Sequence, residues 1–334
     1  MFFKNKKILV IGGTGTIGKS IVNTILEEEP SVIRIISRDE YKQFQLQNDL
    51  GNRKNLHFII GDVRDFDRVY NAMQDVDYVF HLAAMKHVSS CEYNPYEAVL
   101  TNVLGTYNVI KAAISQNVKK VVFTSSDKAI SPTNTYGATK LTAERLISSA
   151  HYNNGKGKTV FASVRFGNVM GSRGSVIPLF KKQILENRKI TITDRKMTRF
   201  MMTLTQANQL TIKALQKAKG GEVFVLKMPV ISLGSLASII IEETCKKNGF
   251  DKTEVEIEEI GLRPGEKMYE ELMTYDESML ALELSDMYII PGKDQVWIND
   301  QDSKKAKHGN YSSESQKPLS LEELQRLLRL EKLI

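Results

Sequence analysis

An apolar, β-branched run from Lys7 to Ile11 breaks directly into Gly12-Gly13-Thr14-Gly15-Thr16-Ile17-Gly18, and a helical pattern begins at once. Glycines at 12, 15 and 18 permit a tight turn, close approach of backbone N–H groups to a pyrophosphate, and close packing of helix on strand, with the helix N-terminus facing the anion. The spacing is GxxGxxG and not the more familiar GxGxxG. Set between a strand and a helix, it predicts the phosphate turn of a dinucleotide-binding fold, with Gly12, Thr14, Gly15, Thr16, Ile17 and Gly18 around the cofactor.

The rest of the first half agrees. Short runs at Val32–Ser37, Leu56–Gly61, Tyr78–Leu82, Lys120–Ser125 and Thr159–Phe166 alternate with amphipathic stretches such as Thr16–Glu29, Pro95–Gln116 and Thr135–Ala150. Repeated βα units of this size predict an α/β fold with a doubly wound parallel sheet. After Gly171 the alternation turns irregular: a helix is expected at Val176–Asn187, strands at Ile190–Thr193 and Glu222–Lys227, and a helix at Ser235–Lys247. The expected organisation is a Rossmann domain over residues 1–170, completed by about 200–228. A smaller interleaved α/β substrate lobe follows from 171–199 and 229–295. The polar, Ser/Lys/Gln-rich stretch Asn299–Pro318 reads as a mobile linker within a 296–334 tail. A capping-box pair, Ser320 and Glu323, then opens a leucine-spaced docking helix.

Lys+Arg exceed Asp+Glu by 46 to 39, a formal charge of +7, which raises nucleic acid as a partner. The lysines form only small clusters without interleaved aromatics, so the excess is read as serving anionic small molecules instead. Two cysteines without metal-ligand spacing read as free thiols, and no metal site is expected. The first apolar run is too short to span a membrane and no targeting signal is visible, so a cytoplasmic location is expected.

The second strand of such a fold ends beside the adenosine ribose, where an acidic residue suits a 2′-OH and a basic one a 2′-phosphate. Here stand Ser37 and Arg38, followed by Lys42. That favours NADP over NAD; the alternative is that Arg38 and Lys42 are solvated surface charges, with NAD retained. Asp62, with Val63, is expected at the adenine edge. Two further segments carry chemistry. Ser126-Asp127-Lys128 stands at the carboxyl end of a strand, where doubly wound sheets place ligands. Tyr136 and Lys140 are one helical turn apart on the next helix, so an ammonium is expected to favour the phenolate and make Tyr136 a base.

These residues lie within GGTGTIG, SRDE, GDVRD, HLAAMKHV, TNVLGT, SSDKA, YGATK, RFGNVMGSRGSV, ITDRKMTRF and GLRPGEK. Over roughly residues 5–295 the chain resembles the extended short-chain dehydrogenase/reductases. It is more closely similar to the nucleotide-sugar 4,6-dehydratases that act on UDP-N-acetylglucosamine with inversion at C5, enzymes of pseudaminic acid and related polysaccharide pathways. The resemblance implies a recycled NADP and a homo-oligomer, dimer or hexamer. It also implies roles: Tyr136 deprotonates the 4-hydroxyl, Lys140 holds the ribose, Lys128 is the base at C5, Asp127 protonates the departing 6-hydroxyl, and Ser126 bonds O4. Elimination of water needs one acid and one base at adjacent carbons, and Asp127-Lys128 supplies both. Ala83, Ala84 and Asn102 are expected against the cofactor, with Asn102 also open to a capping role. Met85, Lys86, His87, Asn168, Val169, Arg173, Ser175, Val176, Thr193, Arg199, Met201, Arg263 and Glu266 are expected against the substrate, the arginines because a planar fork suits phosphate. Surface ion pairing is the alternative for Arg199 and Arg263, and His81 reads as structural. Competing functions are a UDP-sugar epimerase, a dehydratase that stops at the 5,6-ene or retains C5, and a non-catalytic NADP-binding sensor.

Overall fold

The computed structural model describes residues 1–153, 159–172, 174–292 and 303–334. Six parallel strands, β1 (Lys7–Ile11), β2 (Val32–Ser37), β3 (Leu56–Ile60), β4 (Tyr78–His81), β5 (Lys120–Thr124) and β6 (Val160–Arg165), lie in the order β3-β2-β1-β4-β5-β6. Both faces are covered by helices, which is why the strands are predominantly apolar. In β1, Ile8 and Val10 enter one core while Leu9 and Ile11 enter the other. Strand order reverses between β1 and β4, and that reversal opens a crevice at the carboxyl ends of the strands.

Val223–Leu226 pairs parallel to β6, and Met287–Ile290, Leu282–Glu283 and Lys304–Lys305 then extend the sheet to ten strands. Residues 282–290 fall in the stretch expected to build the substrate lobe, yet they complete the main sheet. The cause is the wholly buried Val223–Leu226, whose outer edge needs a partner.

The other body holds a three-stranded sheet of Val230–Ser232, Thr198–Met202 and Asn168–Val169, and a parallel pair, Lys189–Ile192 with Glu256–Glu259. Its core gathers Ile177, Phe180, Ile184, Leu236 and Ile240 with Leu324 and Leu328 of the C-terminal helix Leu321–Leu330. Ser320 and Glu323 form the capping box expected for that helix.

The expected mobile linker is corrected over its described residues, 303–318. Tyr311–Ser312 pairs with Glu271–Met273, and the Tyr311 hydroxyl accepts from the Met228 N–H at 2.7 Å. Polar composition misleads here because a few buried residues, Ala306, Tyr311, Ser312 and Ser313, anchor a stretch whose other polar side chains are largely exposed. Among the described residues, no helix is long and apolar enough to cross a membrane.

Candidate active site

β1 delivers the chain into the crevice at Gly12. This residue takes φ +83°, and a methyl group there would lie 2.9 Å from the Ala83 nitrogen. One on Gly18 would meet the Gly12 carbonyl at 2.6 Å. The helix Thr16–Leu26 starts at Gly15 without a side-chain cap, leaving its first N–H groups for an anion. Thr14, Thr16, Ile17, Ser37, Arg38, Lys42, Asp62, Val63, Ala83 and Ala84 line the same cleft, whose volume is ≈ 1460 Å³. Ordinary ligand pockets run to about 1,000 Å³, so there is room for a dinucleotide and a second ligand together. Arg38 lies 3.8 Å from Asp62, which is tied more closely to Arg64 at 2.7 Å. The glycine cradle and the uncapped helix start both fit a dinucleotide.

At the far wall, β5 ends in Thr124-Ser125-Ser126, and Asp127–Ala129 forms a single 3₁₀ turn. Ser126 Oγ donates to Asp127 Oδ1 at 2.8 Å. The same oxygen accepts from the Lys128 backbone N–H at 2.9 Å and from Lys128 Nζ at 3.1 Å. Asp127 Oδ2 is buried with no hydrogen-bond partner among the described residues. The helix Thr135–Asn153 packs so tightly on this turn that a methyl on Gly137 would lie 2.1 Å from the Lys128 carbonyl oxygen.

Tyr136 lines the cleft beside this turn. Burial pushes its phenol above the ordinary value, while the Ser126 hydrogen bond and the Lys128 charge pull it back. Lys128 thus acts on Tyr136 as a cation, a role that the helical spacing alone assigns to Lys140. Lys140 is buried behind the cleft, where its ammonium donates to the Thr124 carbonyl at 2.5 Å and sits 4.1 Å over the Phe123 ring. Burial pushes it down to about 7, with Glu144 opposing. Burial also works against the charge on Lys128, but Asp127 and Glu270 outweigh it and hold the ammonium well above the ordinary lysine value. His81 is buried on Thr106 and pushed down to about 3 by burial, a neutral structural group.

The remaining expected residues divide. Met85, Lys86, His87, Asn168, Val169, Ser175, Val176 and Met201 line the cleft. The helix Val176–Asn187 opens onto it at Ser175, again without a side-chain cap, giving a second anion-facing helix start. Arg173 lies outside the described residues. Asn102 does not line the cleft: its side chain bonds Met85 N and O at 2.8 and 3.1 Å and Thr139 at 2.9 Å. It stands in a π-helical segment, Val99–Leu104, whose wider turn brings the preceding Thr101, its buried hydroxyl without a partner among the described residues, to the cleft instead.

Arg199 also departs from expectation. Its Nη atoms donate to the carbonyls of Thr198, Lys267 and Met268 at 2.7, 2.8 and 3.2 Å, which leaves little for a phosphate. Thr193, Arg263 and Glu266 meet one another, Glu266 accepting from Thr193 Oγ1 at 3.1 Å and from Arg263 N at 3.3 Å, and none lines the cleft. Missed entirely by the sequence reading was Glu270, a buried carboxylate 3.5 Å from Lys128 Nζ. No local spacing announces it, because its partner is brought to it only by tertiary packing.

A doubly wound sheet, a glycine phosphate turn and a Tyr/Lys helix beside a strand-end Ser-Asp-Lys define an extended short-chain dehydrogenase/reductase. The chain belongs to the family described as "Polysaccharide biosynthesis protein", which matches residues 8–292. It is 62% identical to the solved structure titled "X-ray structure of Pen from Bacillus thuringiensis", with TM-score 0.95 and full coverage of both chains. A UDP-N-acetylglucosamine 4,6-dehydratase (inverting) of Campylobacter jejuni is 41% identical over 303 residues, 90% of this chain and 86% of the relative. A UDP-glucose 4-epimerase of Rickettsia bellii is 41% identical over 335 residues, 98% and 96% of the two chains. The protein is thus an enzyme of the nucleotide-sugar dehydratase/epimerase group.

Proposed function

We propose that the protein is an NADP-dependent nucleotide-sugar 4,6-dehydratase that acts on UDP-N-acetylglucosamine. The observation that carries this reading is the Asp127–Lys128 pair beside Tyr136 on one wall of a cleft large enough for two nucleotides. The two uncapped helix starts, at Gly15 and Ser175, suit the two diphosphates. Arg38, more than half exposed at the end of β2, supports NADP over NAD.

A bound nicotinamide dinucleotide would accept hydride from C4 and return it to C6. Tyr136 takes the 4-hydroxyl proton, and Ser126, hydrogen-bonded to it, aligns O4. The resulting 4-ketone acidifies C5. Lys128 removes the C5 proton, and the Asp127 side of the pair supplies the proton with which the 6-hydroxyl leaves as water. Lys140 holds the carbonyl end of β5, from where it would support the ribose of a bound cofactor.

An epimerase is the second reading, favoured by the Rickettsia relative at equal identity. It needs the glycine turn, Tyr136 and Lys140 but no pair for water loss. The deciding experiment incubates the protein with UDP-N-acetylglucosamine in D₂O and follows the sugar by NMR. A 4-keto-6-deoxy sugar with deuterium at C5 is expected, and its C5 configuration reports inversion. Accumulation of a 5,6-ene would place the reaction's end one step earlier. UDP-N-acetylgalactosamine as sole product would establish the epimerase and refute the dehydratase. Mass spectrometry of nucleotide released from the purified protein distinguishes NADP from NAD.

A further inference from the structure

We propose that Glu270 is a positioning and proton-relay residue behind the Asp127–Lys128 pair, accepting the Lys128 proton so that the lysine can act as a neutral amine at C5. The proposal rests on the dehydratase reading above and adds to it a residue that does not touch the cleft.

A base must be free of its proton, yet Lys128 stands as an ammonium between two carboxylates. Nζ lies 3.1 Å from Asp127 Oδ1 and 3.5 Å from Glu270 Oε1. Glu270 is 3% exposed, and its other oxygen, Oε2, has no hydrogen-bond partner among the described residues. The remaining cations that face it are committed elsewhere. Arg199 Nε stays 4.0 Å away while its Nη atoms serve three carbonyls, and Lys267 Nζ serves the carbonyls of Ile130 and Ser131. A buried carboxylate with one close partner and one bare oxygen is costly as an anion and is relieved by a proton. Burial accordingly pushes Glu270 above the ordinary carboxylate range, Lys128, Arg199 and Lys267 opposing and Asp127 adding. The backbone allows Glu270 no retreat: its N–H donates to Ser313 Oγ at 3.0 Å and its carbonyl accepts from Ser313 N at 2.8 Å.

The relay balances. An N–H bond of Lys128 breaks and an O–H bond forms on Glu270, the electron pair remaining on Nζ. The free amine takes the C5 proton, the C–H pair passing into the enolate of the 4-ketone. That proton moves from Nζ through Asp127 Oδ1 to the 6-hydroxyl, which departs as water as the C6–O bond breaks. Glu270 then returns its proton to the amine. The C5 hydrogen leaves on water, and both side chains end as they began.

The test uses the full-length protein with its bound cofactor, in D₂O with UDP-N-acetylglucosamine, comparing wild type, Glu270→Gln and Glu270→Asp. C4 oxidation is followed by nicotinamide absorbance in a single turnover, and C5 deuteration by NMR. Glu270→Gln is expected to oxidise C4 with wild-type amplitude and unchanged KM, while C5 deuteration slows about 100-fold, the scale of a lost general acid–base step. Its remaining exchange should climb steadily across the alkaline range, since only solvent can then deprotonate a Lys128 that Asp127 still holds above the ordinary lysine value. Glu270→Asp should recover to within about tenfold of wild type. Wild-type C5 exchange in Glu270→Gln would overturn the relay alone. Parallel loss of C4 oxidation and C5 exchange in both variants would also overturn it, by making Glu270 merely structural. Failure of the wild type itself to form a 4-ketone would instead refute the dehydratase reading.

Discussion

Arg165 offers the sharpest test of how the site is held. It is fully buried at the end of β6 and uses every N–H it has. Nε and Nη2 donate to the two oxygens of Glu144 at 2.9 and 2.6 Å. Nη2 and Nη1 donate to the two oxygens of Glu277 at 2.7 and 2.8 Å, and Nη1 also reaches the Leu272 carbonyl at 3.2 Å. One guanidinium thus fastens the helix carrying Tyr136 and Lys140 to the segment that follows Glu270. In Arg165→Lys, a single nitrogen with three donors cannot grip two carboxylates in bidentate fashion. Glu144 is wholly buried, so the loss resembles breaking a buried ion pair, about 3–5 kcal/mol. At about 2 °C per kcal/mol for a chain of this size, Tm should fall by about 6–10 °C. The pH dependence has a definite sign. Burial raises the Glu277 pKa, but its hydrogen bonds and ion pair with Arg165 win and hold it below its ordinary 4.5. Its stabilisation is therefore complete above 4.5 and is lost as pH falls through the lower folded value. Calorimetric melts across the acid range should show that loss in wild type and a flatter profile in Arg165→Lys. A Tm within about 2 °C of wild type, with the same acid slope, would refute the clamp.

Two further outcomes follow from the same wall of the cleft. Gly137→Ala forces a methyl against the Lys128 carbonyl at 2.1 Å, so either the helix or the catalytic turn must shift. The variant should lose about 1–3 kcal/mol of stability and lower kcat more than it raises KM; wild-type turnover in steady-state assays would show that the turn is not held by this contact. Lys140, pushed down to about 7 from 10.5, binds fewer protons folded than unfolded between those values, so stability of the free protein should rise with pH across that window. Lys140→Met should flatten the rise and leave Tm below pH 7 no lower than wild type, while turnover disappears. A lower Tm there would make Lys140 a structural prop.

What the sequence discloses and what it hides divide along a physical line. The glycine turn, the Ser126–Lys128 strand end and the Tyr136/Lys140 pair are legible because each is set by spacing within one element. Asn102 and Thr101 exchange places because the π-helical turn at Val99–Leu104 shifts the facing residue by one, which no α-helical count foresees. Arg199 has the right chemistry for phosphate, but nearby carbonyls claim its fork, and that competition exists only after folding. Glu270 is the extreme case. Its chemistry depends on Lys128 far back along the chain, and its position depends on Ser313 ahead of it. Ser313 lies in the polar stretch whose composition reads as a linker and which holds no residue assigned to the reaction. It is wholly buried, bonds Glu270 on both backbone sides, and pairs through Oγ with Thr198 at 3.0 Å. The least promising segment by composition thus presents a carboxylate to the lysine on which the proposed chemistry turns. A serine there serves better than an apolar residue, because Oγ satisfies a buried Glu270 N–H that would otherwise go unpaired.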